Sequence, residues 1–393
     1  MSEFPPEWQQ VRVGNLLTEH SDRSSSNNQH EVLSVTKDGI FSQREYFKKQ
    51  IASEDNTGYK VVKRGDVVFS AMNLWMGAID VVKEYDSGIV SPAYITMRPR
   101  ADLIDTEFLS YFLRGEAMRK KYVQHSQQGA SIVRRNLNKD DLLDDKVAIP
   151  PLPEQKKIAE ILSGIDKRIK LARQRVSQLE ALIKSLGRNY FGTANQYGMK
   201  SIGELFEISS GTTPSRARQD YFCRKDGIPW VKTMDLNDNY IRNTDECLTD
   251  LGVQEGKARI FPKGTLLVAM YGGWNQIGRT GILAQNSSCN QAMSALLPTK
   301  EVLPEFLNLQ LIIRRSYWKG VAASSRKDPN ITKSDVAEMP IVIPPVEDQL
   351  EIAKTLGSVM NSCQKEDRYL DSLNLLKQSV ASDLLSGRKR VSV

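Results

Sequence analysis

Arginine can offer paired donors to guanine, asparagine and glutamine can pair bidentately with adenine, and lysine, serine and threonine commonly hold phosphate oxygens. Residues of these types gather in short polar stretches of the 393-residue sequence. In the second half they are Thr212, Thr213, Ser215, Arg216 and Arg218 within GTTPSRARQDYF, then Lys232, Asn275, Gln276 and Arg279. In the first half they are Lys37, Arg44, Lys60, Lys63, Asn73, Arg134 and Arg135, with Trp75 beside them as a candidate wedge. Arg134-Arg135 has a positional partner in Ser325-Arg326-Lys327, so each half carries a basic edge that faces a duplex or is a solvated loop. Plainer roles stand beside these. GTTPSR equally suits a turn, Gly272-Gly273 suits a hairpin better than a close backbone approach to a ligand, and Trp75 suits a core better than a wedge.

Enzymatic readings find less support. Gly273–Thr280 (GWNQIGRT) is one residue from a phosphate-cradling loop, but Arg279 replaces the lysine and no strand–loop–helix setting is evident. Ser91-Pro92-Ala93-Tyr94 is similar to an amino-methyltransferase tetrapeptide, yet the second proline and a glycine-rich cofactor loop are missing. Glu255-Gly256-Lys257 with Asp235, Asp238 or Asp250 imitates a magnesium-nuclease carboxylate set without its Pro-Asp lead-in. His20, His30 and His125 form no nucleophile or metal motif, and Cys223, Cys247, Cys289 and Cys363 are scattered without a C-x-x-C pair. No catalytic residue, cofactor or metal is therefore expected. The runner-up readings are a freestanding magnesium-dependent endonuclease and an assembly adaptor without base readout.

A net charge of +7 and an isoelectric point near 9.0 fit a polyanionic partner without requiring one. With 40% hydrophobic and 26% charged residues the chain reads as globular. It shows neither a membrane-length apolar run nor a secretory pattern in MSEFPPEWQQ, so a cytoplasmic location is expected.

What positions the polar stretches is a duplication. IPPLPEQKKIAEIL at Ile149–Leu162 and IPPVEDQLEIAKTL at Ile343–Leu356 lie 194 residues apart and agree at seven of fourteen positions. The offset also pairs Asn136 with Asn330, Leu137 with Ile331, Lys139 with Lys333 and Asp141 with Asp335. Weaker echoes at drifting offsets pair Gly65 with Gly264, Ala93 with Ala292, and Glu107-Phe108-Leu109 with Glu305-Phe306-Leu307. A duplicated scaffold alone would diverge evenly. Here the late part of each half is far more alike than the early part, which fits divergent readers on a shared frame. Each early part reads as mixed α+β, with β-rich runs at Gly65–Ala71 and Thr265–Ala269 and helix-like stretches at Glu107–Lys121 and Glu305–Lys319.

Behind each proline-rich phrase an apolar series recurs every three or four residues. The first runs Ile158, Leu162, Ile165, Ile169, Ala172, Val176, Leu179, Ile183, Leu186, Tyr190. The second runs Ile352, Leu356, Val359, Cys363, Glu366, Leu370, Leu373, Lys377, Val380, Leu384, where Glu366 and Lys377 either weaken the seam or fix its register. Prolines and Glu154, or Glu347 and Asp348, mark the starts, and Gly192 and Gly387 the stops. Helices of about 35 residues span roughly 50 Å. The matching register favours antiparallel pairing in a pseudo-twofold, circular α+β architecture over seams that each pack on their own domain. Lys156, Lys157, Lys167, Arg168, Lys170, Arg173 and Arg175, off the seam, suit a solvated face or an acidic partner surface. The expected division is a recognition region over 1–149, a helix within 150–192, a second region over 193–343 and a helix within 344–393.

These phrases, with IPWVKTMDL, MYGGWNQIGRTGI and Cys289–Ala292, resemble the specificity subunits of type I restriction-modification systems across almost the whole chain. The first half departs from them with VFSAMNLWMGAI and SPAYITMRP, so its target half should differ. The resemblance implies that each domain reads one half of a split, asymmetric site in double-stranded DNA and that the helices set the gap. It also implies that two modification subunits dock, and that restriction subunits join that assembly.

Overall fold

The computed structural model describes residues 5–46, 55–128, 135–192, 197–322 and 329–392. The chain forms two compact units of mixed α/β content. One comprises Met1–Ala172 with Tyr369–Val393, the other Arg173–Arg368.

The first unit is built on a sheet in the order Leu17–His20, Tyr94–Pro99, Val67–Ser70, Ile79–Val81, all neighbours antiparallel. All four residues of Val67–Ser70 are buried, which is why this strand reads as a continuous apolar run rather than an alternating one. The helix Thr106–Arg114 packs Phe108, Leu109 and Phe112 into the same core. Asp105 starts it by accepting the amides of Glu107 and Phe108 at 3.0 and 2.9 Å. The helix-like stretch of the sequence is in fact two helices. Gly115 takes an extended conformation and the chain restarts at Glu116–Gln124.

The second unit repeats this plan with the order Ile208–Ser210, Met293–Leu296, Leu266–Ala269, Thr280–Leu283, and adds Tyr240–Ile241 in parallel at the edge. Leu266–Ala269 is again wholly buried. Pro304–Ile313 is the covering helix, and its expected continuation is replaced by the short 3-10 turn Arg315–Tyr317 and Trp318–Val321. A second sheet, Phe222–Cys223, Cys247–Leu248, Ile228–Val231 and Ser288–Cys289, has no equal among the described residues of the first unit, where the extra strands form the pairs Leu33–Thr36 with Gly39–Ser42 and Lys60–Lys63 with Ser87–Val90. The drifting offsets between the halves follow from these insertions.

The late parts of the two halves match closely. Lys139–Asp144 is capped by Asn138 and Lys333–Glu338 by Thr332, each accepting from the amide of an aspartate, Asp141 or Asp335. Gln9–Arg12 pairs antiparallel with Lys146–Ile149, and Met199–Ser201 with Pro340–Val342; each pair leads directly into a long helix. Those helices are Leu152–Phe191 and Val346–Leu385, 40 residues apiece, longer than the expected 35. Gly387 follows the second at φ 74°, a left-handed conformation that glycine adopts without strain, and a Cβ there would lie 2.6 Å from Pro5.

Each helix entrance is pinned by a fully buried glutamine. Gln155 donates to the carbonyls of Leu103 and Pro150 at 3.0 and 2.9 Å and accepts from the amide of Asp105 at 2.8 Å. Gln349 donates to the carbonyls of Glu301 and Pro344 at 2.8 and 2.9 Å and accepts from the amide of Leu303 at 2.8 Å.

Every position of both apolar series is buried or half-buried. Within the first unit Ile169, Ala172 and Leu373 form a small core with Ile165 and Leu370 against it, and the Lys377 ammonium lies 2.6 Å from Asp166. Within the second, Arg175 lies 3.6 Å from Glu366, and Leu186 and Tyr190 pack against the core that holds Ile352 and Leu356. The two polar residues of the series thus each face an opposite charge. The seven basic residues off the seam of the first helix are all exposed.

Candidate nucleic-acid interface

In the first unit Lys37 lies exposed in the turn between Leu33–Thr36 and Gly39–Ser42, and Arg44 is exposed on the short helix Gln43–Tyr46. Lys63 is exposed at the end of its strand. Lys60 departs from the expectation. It is 8% exposed, its ammonium donates to the carbonyl of Tyr94 at 2.6 Å, and burial lowers its pKa, so its charge faces inward and cannot serve a phosphate.

Asn73 and Trp75 lie in the loop that follows the central strand Val67–Ser70. Asn73 closes that loop through its main-chain carbonyl, which accepts from the amides of Met76 and Ala78. The guanidinium of Arg135 stacks 4.3 Å from the Trp75 ring centre, and the Arg135 amide donates to the carbonyl of Met72 at 3.3 Å. Neither a core residue nor a bare wedge, Trp75 is half-buried beneath a cation. Arg134, Arg326 and Lys327 lie outside the described residues.

In the second unit the polar phrase at Thr212–Arg218 is an ordered loop. The Thr212 carbonyl accepts the indole N–H of the buried Trp230 at 3.2 Å, and the exposed Thr213 hydroxyl is bonded to Gln291. Ser215 is exposed, its carbonyl holding the amide of Arg218 at 3.1 Å. Arg216 makes a two-armed contact with Glu246 at 2.8 and 3.0 Å while stacking 4.3 Å from the Phe222 ring and 4.7 Å from the Trp230 ring. Lys232 donates to Oε2 of the same carboxylate at 2.9 Å, an oxygen it shares with Arg216. Hydrogen bonds from Arg216 and then Lys232 hold the Glu246 carboxyl at about 2. Arg218 is engaged by Asp220 at 2.6 Å and Glu255 at 3.3 Å, over the ring of Tyr221. The sequence shows the arginines but not their carboxylate partners, which come from 30 residues or more away in the case of Glu246.

Asn275, Gln276 and Arg279 lie in the loop that follows the other central strand, Leu266–Ala269. Asn275 is exposed; Gln276 accepts from Arg279 at 3.3 Å and donates to the Met234 sulfur at 3.5 Å. Gly272 and Gly273 have φ of 110° and 74°, so the pair does form a tight turn, as expected. Sequence reasoning passed over what that turn carries: Tyr271, Trp274 and neighbouring Met234 are 44%, 49% and 71% exposed. Their signal was positional. Met72 and Trp75 stand two and five residues beyond Ser70, and Tyr271 and Trp274 stand two and five beyond Ala269.

The residues suggested for chemistry are otherwise placed. Gly273–Thr280 joins two antiparallel strands, not a strand and a helix. Ser91–Tyr94 is a turn, closed by the Tyr94 amide on the Ser91 carbonyl at 3.0 Å. Asp238 is bonded to Thr280 and Arg315, and Glu255 to Tyr221 and Arg218. Burial raises the pKa of Asp235, which accepts the Lys232 amide. No group of three or more metal-ligating side chains is found among the described residues, and none of its helices is long and apolar enough to cross a membrane.

A family model described as "Type I restriction modification DNA specificity domain" matches twice, over residues 5–181 and 195–373. The specificity subunit of the type I restriction enzyme HindI of Haemophilus influenzae is 19% identical, with 97% of this chain and 99% of that one covered. The MjaIX specificity subunit of Methanocaldococcus jannaschii is 27% identical over 187 residues, which take in 42% of its length. Among solved structures, a type I restriction-modification S subunit from M. genitalium aligns with a TM-score of 0.61 at 14% identity, covering 96% of each chain. The two matched segments coincide with the repeated sheet-and-helix frames, and they leave little of the sequence outside them: the chain belongs to the type I restriction-modification DNA specificity family.

Proposed function

We propose that this chain is the sequence-reading subunit of a type I restriction-modification assembly, with recognition regions over 1–149 and 193–343 and spacer helices within 150–192 and 344–393. Each region reads one half of a split, asymmetric site in double-stranded DNA. The observation that carries this is the contrast within each repeat: near-identical capped helices and glutamine anchors support loops of unlike sequence after equivalent central strands.

The helices act as an antiparallel coiled coil that sets the gap. At 1.5 Å per residue each extends about 60 Å, enough to separate readers by more than one turn of DNA, roughly 34–36 Å. Antiparallel pairing is supported by Lys377 with Asp166 and Leu373 with Ile169 and Ala172, where numbers fall on one helix as they rise on the other, and by Arg175 with Glu366. A circular arrangement is supported by Arg390, which bonds Glu154 and Glu7. The exposed leucines Leu171, Leu182, Leu350, Leu375 and Leu376 suit the docking of two modification subunits, to which restriction subunits then add. Catalysis resides in those partners, in the cytoplasm, and this chain binds no cofactor or metal.

The test is single-molecule methylome sequencing of cells that express the chain with its modification subunits, before and after residues 193–343 are exchanged for those of a relative. The expected result is a split motif of which one half changes. No new methylated motif, or a motif indifferent to the exchange, would return the adaptor and endonuclease readings.

A further inference from the structure

We propose that Met234, Tyr271 and Trp274 form the tip of the second recognition region that enters the major groove, where they contact a thymine methyl group while Asn275 or Gln276 reads the paired adenine. This rests on the DNA-reading function proposed above and names the side chains that perform it.

The first observation is exposure. Of the five tryptophans, Trp8, Trp230 and Trp318 are buried and Trp75 lies half-buried under Arg135, whereas Trp274 is 49% exposed. It is joined by Tyr271 in its own loop and by Met234, at 71% exposure, on the 3-10 turn Thr233–Asp235. The Gln276–Met234 contact at 3.5 Å brings the two loops together. The local backbone is built to hold them there. Gly272 and Gly273 occupy left-handed conformations, and a Cβ on Gly278 would lie 2.1 Å from the Trp318 ring, so this loop is seated on a buried tryptophan while it presents an exposed one.

The second observation is repetition. Trp75 and Trp274 hold the same place, five residues beyond equivalent central strands, although the surrounding sequences differ. Neither 70–79 nor 270–279 contains a carboxylate, in a chain with 47 acidic residues. Arg135 or Arg279 lies at each loop, which suits a polyanion.

The third is chemical fit. In the major groove an A·T pair presents an adenine edge that asparagine or glutamine can grip, beside the thymine methyl, the apolar group of that groove. An exposed apolar trio next to two amides addresses both features of one base pair. A protein partner's groove would ask for the apolar trio but not for the amides.

The experiment measures binding of the assembled complex to duplexes bearing its site, with each thymine of the second half replaced singly by deoxyuridine. Loss of one buried methyl predicts about fourfold weaker binding at one position. Trp274→Ala and Met234→Ala should bind the natural duplex roughly tenfold more weakly, from the apolar burial lost, and lose the thymine–deoxyuridine difference, and Trp274→Phe should retain most of it. Met234→Ala, at so exposed a site, serves where Trp274→Ala fails to fold. Equal binding of every deoxyuridine duplex by the natural protein would overturn the proposal, as would either alanine variant keeping the difference, or weakened assembly with partners at unchanged DNA affinity. If the methylated half-site still follows exchange of residues 193–343 in those cases, only the tip has failed and the reading function stands.

Discussion

At the entrance to the first long helix a buried glutamine ties two carbonyls and one amide of the domain to the helix start, and at the entrance to the second another glutamine does the same with the same three bonds. One residue earlier the copies part. Glu154 meets the guanidinium of Arg390 at 2.6 and 2.8 Å, whereas Asp348 accepts the hydroxyl of Tyr197 at 2.9 Å. The difference separates what duplication preserves from what it releases. Gln155 and Gln349 are fully buried, where water cannot replace a lost partner; Glu154 is as deeply buried, at 2% exposure, and depends on Arg390, whereas Asp348 and Tyr197 are half-buried, where solvent can share the work.

The comparison breaks most readily at the glutamines. Gln155→Leu fills similar space but orphans two carbonyls and one amide, and Gln349→Leu does likewise. Each should cost about 3 kcal/mol, summed from roughly 1 kcal/mol or more per buried group left unpaired. Urea unfolding of each variant checks the size, and hydrogen exchange at 152–156 or 346–350 shows where the loss falls. Unequal costs would mean that the two anchors are alike in geometry only.

A smaller contrast lies between the two readers. In the second, Arg216 and Lys232 share Glu246, whose carboxyl they hold at about 2 against an ordinary 4.5. A depressed carboxylate contributes stability that is complete above its unfolded pKa and vanishes as pH falls through the folded one, so the loss runs from about pH 4.5 down to about 2. Allowing for partial exposure, about 2 kcal/mol is at stake. In the first reader Arg135 leans on Trp75, a partner with no proton to gain. Acid titration followed by tryptophan fluorescence should therefore loosen the second unit through this contact, and Glu246→Gln should abolish that component. A Glu246→Gln profile that still falls as steeply would assign the acid sensitivity elsewhere.

How much of this was legible in the sequence follows from the range of the interactions. The helix starts and the apolar series rest on residues a few positions apart, and the duplication, though offset by 194 residues, is a repeated order of residue types, so pattern alone located the long helices and both central strands. Family resemblance added the two-reader plan. The sequence could not show that Lys60 points inward, that Arg216 is matched by Glu246, or that Gln155 and Gln349 are staples rather than polar surface residues, because each depends on a partner distant in the chain. It also misread Glu107–Lys121 as one helix, since Gly115 breaks it through a conformation that composition does not announce. The repeated glutamine in PEQ and EDQ was the one visible clue to the staples, and the five-residue spacing of Trp75 and Trp274 became readable only once both central strands had been placed.

The finest distinction concerns the diverged acids. Tyr197→Phe removes one hydrogen bond from Asp348, worth about 1 kcal/mol, and because the hydroxyl is uncharged the cost should not change with salt. Arg390→Gln instead removes a cation from the exposed Glu7 and the buried Glu154, so the share of the destabilisation that comes from the Glu7 pair should shrink as added salt screens it, while the Glu154 share is screened little. Denaturation midpoints of both variants at low and high sodium chloride therefore read the chemistry of each anchor, not merely its strength. If the Arg390→Gln penalty is the same at both salt concentrations, the Glu154–Arg390 contact works as a packed hydrogen bond, and the two entrances are more alike than their residues suggest.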